Sequence, residues 1–163
     1  MPYDFVGWFH TVMSLIALIT GTIVLTKTKG TATHKRVGRI YAISMLMVCI
    51  TAFMIYRLHN AFGILHFFAI ISTVTLILGM LPMYLKTHKK PIIVHLSYMY
   101  WSVIGLYCAF AAEVFTRLPD IWHIDTNLGV FYALIGISSG AVGAIGSHYF
   151  KKNKKRWEER FGQ

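Results

Sequence analysis

Histidine is the residue type in this chain that points most directly to chemistry. The chain holds eight histidines, and three of them, His10, His66 and His95, lie inside long apolar runs. An imidazole can bind a metal or a haem iron through one ring nitrogen, or carry a proton. Because an ionisable side chain is costly inside an apolar segment, these three residues are the first candidates for a functional site.

A carboxylate and a guanidinium accompany the histidines. Glu113 lies in the same apolar run as His95, and Arg117 follows at the spacing of a helical ion pair. At 1.5 Å per residue, His95 and Glu113 stand about 27 Å apart along a helix. The two residues therefore belong to opposite ends of one element and to two different sites.

Five apolar runs must position these groups. The 163 residues are 56% hydrophobic and 13% charged, with a mean hydropathy of +0.57, which a soluble domain of this size could not bury. The fold class predicted is all-α: an integral membrane bundle of five transmembrane helices in one domain, 1–150, with a polybasic tail, 151–163. The predicted spans are Phe5–Thr26, Val37–Tyr56, Phe62–Tyr84, Ile92–Phe115 and Thr126–Phe150.

Basic residues predict the orientation. The first loop, the third loop and the tail carry 14 of the 16 Lys and Arg residues, and an odd number of spans puts all three on one side. We expect that side to be cytoplasmic and the N-terminus to be outside, in a multi-pass protein of the bacterial cytoplasmic membrane. The net charge of +10 therefore follows membrane topology, and a nucleic-acid partner is not expected.

This topology sorts the histidines into two layers. The predicted outer layer holds His10, His59, His66 and His123. The predicted cytoplasmic layer holds His34, His88, His95 and His148, with His34 immediately before the second span. Each layer thus contains more than one imidazole that could act with another.

The first functional hypothesis is a b-type haem protein for transmembrane electron transfer, with a quinone or another redox partner. Two imidazoles on different helices would ligate each haem b, and nearby cations would neutralise the propionates. The outer pair would be His10 and His66 with Arg57 and Arg117. The inner pair would be His34 and His95, beside the basic residues of the first loop.

The second hypothesis is a zinc site at the outer rim of a membrane hydrolase or another metal-binding membrane protein. His10, His66 and Glu113 from three helices would supply two imidazoles and a carboxylate, leaving one zinc position for water. Arg57 and Arg117 would then bind an anionic substrate group such as a lipid phosphate.

The third hypothesis is a non-catalytic transport or accessory membrane protein. Glu113 and Arg117 would then form an ion pair only, and the histidines would be interfacial or proton-relay groups. Spectra and metal content distinguish the three hypotheses, because haem absorbs visible light, zinc does not, and the third hypothesis needs neither.

Small residues repeat along the fifth span, at Gly136, Gly140, Gly143 and Ser147. Such a stripe is typical of close helix packing in membranes, within one chain or between two. We therefore expect either internal packing or a homodimer at this face, with the lipid bilayer around the remaining surface.

Three stretches, Lys29–Met45, Met54–Ser72 and His95–Arg117, resemble an uncharacterised family of small bacterial multi-spanning membrane proteins with a domain of unknown function. The similarity rests on a histidine and a basic residue before the motif GRIY, and on a later histidine followed by YWS, a glutamate and an arginine. The resemblance supplies no activity. The residues that it picks out are His10, His34, Arg57, His66, His95, Glu113 and Arg117.

Overall fold

The computed structural model describes residues 5–55, 63–85, 89–123 and 127–161, apart from the side chain of Asp120. Arg57, His59 and His88 of the sequence analysis lie outside these residues. The described part of the chain is helical, without strands, and its helices are α1 (Phe5–Thr26), α2 (Ala32–Met54), α3 (Ile64–Leu85), α4 (Pro91–Ile121) and α5 (Leu128–Phe161).

All five helices are long and apolar enough to cross a membrane. The predicted all-α bundle of five transmembrane helices is therefore confirmed, and the chain is a multi-pass membrane protein. Neighbouring helices in the chain pack on one another, and α1 also packs on α4. The helices α1 to α4 thus close a ring in which α1 faces α3, and α2 faces α4, across the centre, while α5 covers the outside of α4.

A polar contact in an apolar core ties α2 to α4. The Tyr41 hydroxyl and the Ser102 hydroxyl lie 2.8 Å apart, and both side chains are fully buried. Gly21 on α1 makes room for this contact, since a Cβ there would come within 3.0 Å of the Tyr41 ring. Each buried hydroxyl finds its partner inside the bundle, as the absence of water in a membrane requires.

The start of α2 differs from the predicted span, and this changes the position of His34. The helix begins at Ala32, five residues before the predicted Val37. Thr31 caps it, because its hydroxyl accepts the backbone N–H of His34 at 3.1 Å. His34 therefore lies in the first turn of α2 and not before it. Hydropathy did not indicate this helix start, because a cap is a local hydrogen bond and leaves no signal in hydropathy.

The end of α5 also differs from the predicted span. The helix continues to Phe161, whereas the apolar run ends at Phe150. Trp157 explains the continuation: only 8% of it is exposed, and it packs against Leu96 and Tyr100 at the start of α4. The basic segment predicted as a tail is thus an extension of the fifth helix that is anchored to the bundle.

Candidate functional site

The bundle has two ends, and each carries titratable groups. We call the end formed by loop 27–31, the start of α4 and the last turns of α5 the basic end. The opposite end contains the starts of α1 and α3 and the ends of α2 and α4. Along α2, His34 at the basic end and Thr51 at the opposite end are about 25 Å apart at 1.5 Å per residue. The two ends are therefore separate sites.

At the basic end, His34 and His95 come from helices that face each other across the bundle. The two imidazoles lie within electrostatic reach of one another, and Lys29 lies within reach of His34. Both histidines are half-buried. The structure thus places at one end of the bundle the two residues that the sequence predicts as an inner pair.

His95 is held in one orientation by a neighbouring helix. Its Nδ1 lies 2.7 Å from the Gly79 carbonyl oxygen on α3. A carbonyl can only accept, so Nδ1 carries the proton and, in the neutral ring, Nε2 holds the lone pair. This Nδ1–H to carbonyl contact is the arrangement that usually supports a histidine ligand.

Gly79 permits this contact because it brings α3 unusually close to α4. A Cβ at Gly79 would lie 2.7 Å from the Met99 sulfur and 3.3 Å from the Met99 backbone nitrogen. A larger residue would therefore push the two helices apart and lengthen the hydrogen bond to His95.

His34 has a ring nitrogen that no hydrogen bond satisfies in the described part of the chain. Its Nδ1 is buried from solvent without a partner there. Lys29 lies nearby but does not bond this nitrogen, and its ammonium donates instead to the carbonyl oxygens of Val24 and Leu25 at 2.6 and 2.8 Å. A buried unsatisfied nitrogen costs about 1–3 kcal/mol, which a bound group could recover.

Burial lowers the pKa of Lys29, since the ammonium is partly removed from water. The two carbonyls at the end of α1 compensate in part, because they are unpaired acceptors at the negative end of that helix. Lys29 therefore adds a fixed positive charge beside His34 and connects the loop to α1.

At the opposite end, His10 is also oriented by a neighbouring helix. Its Nδ1 lies 2.8 Å from the Thr51 hydroxyl oxygen. That hydroxyl already donates to the Met47 carbonyl at 2.7 Å, so we assign the imidazole Nδ1 as the donor. The Nε2 atom of neutral His10 then holds the lone pair, as in His95.

Glu113 and Arg117 contribute to the electrostatic environment of His10, and the three predicted residues lie at the same end of the bundle. The Arg117 guanidinium donates to the Glu113 carboxylate in an ion pair along α4. The side chains are 53% and 43% exposed, respectively. The Glu113 side chain is thus paired with Arg117 and partly exposed at the surface of the bundle.

His66 differs from His10 and His95 in which ring nitrogen carries the proton. It is only 6% exposed, and its Nδ1 accepts the Gly63 backbone N–H at 3.2 Å. In the neutral ring the proton is therefore on Nε2, the reverse of His10 and His95. Among the described residues α1 and α3 lie across the ring from each other, as α2 and α4 do, so His66 and His10 stand on facing helices just as His34 and His95 do.

Within the described ranges, no three His, Cys, Asp or Glu side chains form a group with the geometry of a metal site. The predicted set of His10, His66 and Glu113 therefore does not form a metal site in the described structure, although Glu113 influences His10 electrostatically. Arg57, predicted beside the same site, lies outside the described residues.

Sequence reasoning did not identify the groups that orient the imidazoles. Gly79 and Thr51 act through a carbonyl and a hydroxyl on neighbouring helices, and no spacing in the chain links them to His95 or His10. Lys29 could have been found, because a lysine shortly after an apolar run is placed to bond the last carbonyls of that helix.

The comparisons with known proteins agree with this architecture. The family described as "Predicted membrane protein (DUF2306)" matches residues 7–145. The match covers nearly all of α1, the whole of α2 to α4 and the first half of α5, and thus includes both ends of the bundle. No curated protein and no solved structure matches the chain. The chain therefore belongs to DUF2306, a family of predicted membrane proteins of unknown function, as the resemblance in the sequence implied.

Proposed function

We propose that this protein is a membrane b-type haem protein for transmembrane electron transfer, with His34 and His95 as one ligand pair. The observation that carries the proposal is the pairing at the basic end: His34 and His95 stand on helices that face each other across the bundle, and the 2.7 Å hydrogen bond from His95 Nδ1 to the Gly79 carbonyl leaves its Nε2 with a lone pair. Bis-imidazole haem in a helical bundle requires side chains of this kind on facing helices.

The residues at the basic end fit such a group. His95 offers Nε2 with a lone pair because Gly79 takes its Nδ1 proton, and His34 has a buried nitrogen without a partner in the described residues. The exposed Lys35 and Arg36 supply positive charge for propionates. Haem would provide one-electron chemistry when bound; the protein residues hold it, set its orientation and exclude water.

A second haem between His10 and His66 would complete a path to the opposite end, where Arg117 could contact a propionate and a quinone or redox partner could exchange electrons. His10 already has the required tautomer. His66 would need to exchange its Gly63 hydrogen bond for an Nδ1–H donor before Nε2 could ligate. The second ligand pair is therefore a weaker part of the proposal than the first.

The absorbance spectrum of the detergent-purified protein, oxidised and dithionite-reduced, tests the proposal. We expect a Soret band with sharp α and β bands on reduction. His34→Ala and His95→Ala should each abolish the spectrum of the haem at the basic end. His148→Ala is the matched control, because His148 is an exposed histidine of the same end on α5. A colourless wild-type protein, after haem is supplied during expression, would refute the haem function.

A zinc site at the opposite end is the second candidate, because Glu113 lies within electrostatic reach of His10. Such a site would support hydrolysis at the membrane surface, with Arg117 binding an anionic group. It needs Glu113 to leave its ion pair and His66 to change tautomer. Elemental analysis of the same sample tests this candidate: about one zinc per chain, lost in His10→Ala and kept in His123→Ala, would establish it.

A colourless sample without metal would instead favour the transport or accessory function. The homodimer through α5 stays a prediction in each case. Gly136, Gly140 and Gly143 have open space where a Cβ would point, so this face can accept another helix. Crosslinking at Gly140→Cys in membranes measures whether it does.

A further inference from the structure

An apolar groove runs along the outside of the bundle where α1, α4 and α5 meet. Its volume is about 470 Å³, and its walls include Leu25, Ile104, Val142 and Ile145. Gly146 forms part of its floor: a Cβ there would come within 2.7 Å of Ile104, and the carbonyl accepts the Tyr100 hydroxyl at 2.8 Å. The close packing of α5 on α4 therefore shapes the floor of the groove.

A cationic pocket of about 220 Å³ continues the groove at the basic end. Leu25, Thr26 and Asn153 line both spaces, so the two join directly. The charged residues that line the pocket are all basic: Lys27, Lys29, Arg156 and Arg160.

Contacts within the fold position two of these cations, Lys29 and Arg160. Lys29 is bonded to the carbonyls that end α1, and Trp157 is buried against α4 between the two arginines in the chain. Arg160 stacks over the Phe161 ring, with its guanidinium carbon 5.4 Å from the ring centroid. The acidic Glu158 pairs with Lys154 at 3.9 Å and does not line the pocket. The pocket thus keeps its positive charge.

We propose that the groove and the pocket together bind one anionic phospholipid from the leaflet at the basic end. One of its two acyl chains would lie in the apolar groove and its phosphate among the four cations. The groove lies beside the apolar part of α5, where an acyl chain would be, and the pocket lies beside its basic part, where a head group would be. The change between the two occurs between Phe150 and Lys151. Basic pockets between transmembrane helices recognise anionic head groups in this way.

Native mass spectrometry of the protein from nanodiscs with equal amounts of phosphatidylglycerol and phosphatidylcholine tests the site. We expect the wild type to retain one phosphatidylglycerol. The variant Arg156→Gln/Arg160→Gln should bind it roughly 30-fold more weakly, from the loss of two cations near the head group. The control Lys151→Gln/Lys155→Gln removes the same charge at the same spacing, from exposed positions outside the pocket, and should retain the lipid.

Two further measurements distinguish one seated phospholipid from free phosphate and from a diffuse lipid shell. Val142→Trp fills the groove and leaves the cations in place, so it should also release the lipid, whereas excess inorganic phosphate should not. Equal losses in both glutamine variants would show general attraction of the lipid to a basic surface and overturn the site. Displacement by phosphate, retention in Val142→Trp or equal retention of phosphatidylcholine would overturn it as well.

Discussion

The two ends of the bundle carry the same residue types, yet their hydrogen bonds prepare them differently. At the basic end, Gly79 takes the Nδ1 proton of His95, and His34 keeps a buried nitrogen without a partner in the described residues. At the opposite end, His10 has the same tautomer as His95, but His66 accepts a backbone N–H, and Glu113 is paired with Arg117. Two histidines at the same depth in the bundle therefore do not by themselves form a ligand pair. The hydrogen-bond partner of one ring nitrogen decides whether the second ring nitrogen has a lone pair with which to bind.

The largest expected effect is the loss of the haem spectrum when a histidine at one end of the bundle is replaced by alanine. If only the basic end binds haem, His95→Ala removes the whole reduced spectrum, whereas His66→Ala leaves it unchanged. A haem at both ends would instead give roughly half the Soret absorbance in each variant, with different midpoint potentials in a redox titration. Loss of the whole spectrum in His66→Ala, with a normal spectrum for His95→Ala, would reverse the assignment of the ends.

The next effect concerns the helix contact that supports His95. Gly79→Ala should destabilise the protein by about 1–3 kcal/mol, because its Cβ would overlap the Met99 side chain and backbone. Gly143→Ala is the matched control, since its Cβ would meet nothing within 4 Å in the monomer. Thermal unfolding in detergent compares the two. Equal melting temperatures would show that α3 and α4 can separate at this point without cost.

The smallest effect is expected at the opposite end. Glu113→Gln removes an exposed ion pair with Arg117, and such pairs contribute about 0–1 kcal/mol. Unfolding measurements should therefore place the variant close to wild type, with Arg117→Gln as the complementary change. A loss well above 1 kcal/mol, or a loss of bound zinc, would indicate that Glu113 has a further partner and favour a metal site at this end.

The fold could be predicted largely from the sequence because lipid selects long apolar helices. The bounds of α1 are those predicted, since both of its ends coincide with the ends of an apolar run. The helices α2 and α5 extend beyond the predicted spans, because Thr31 caps the start of one helix and Trp157 anchors the end of the other. Hydropathy indicates which residues contact lipid, whereas caps and side-chain packing determine where a helix begins and ends.

The sequence by itself determined the number of spans, the end of the bundle at which each described histidine lies, and the clustering of positive charge in the loops and the last helix. Each of these follows from the order of residues along a helix of known rise. The tertiary structure alone decided that Gly79 orients His95, that Thr51 orients His10, and that Lys29 meets Arg156 and Arg160 in one pocket. The reason is that these contacts join different helices, and their lateral arrangement depends on side-chain packing that no periodicity along one helix records.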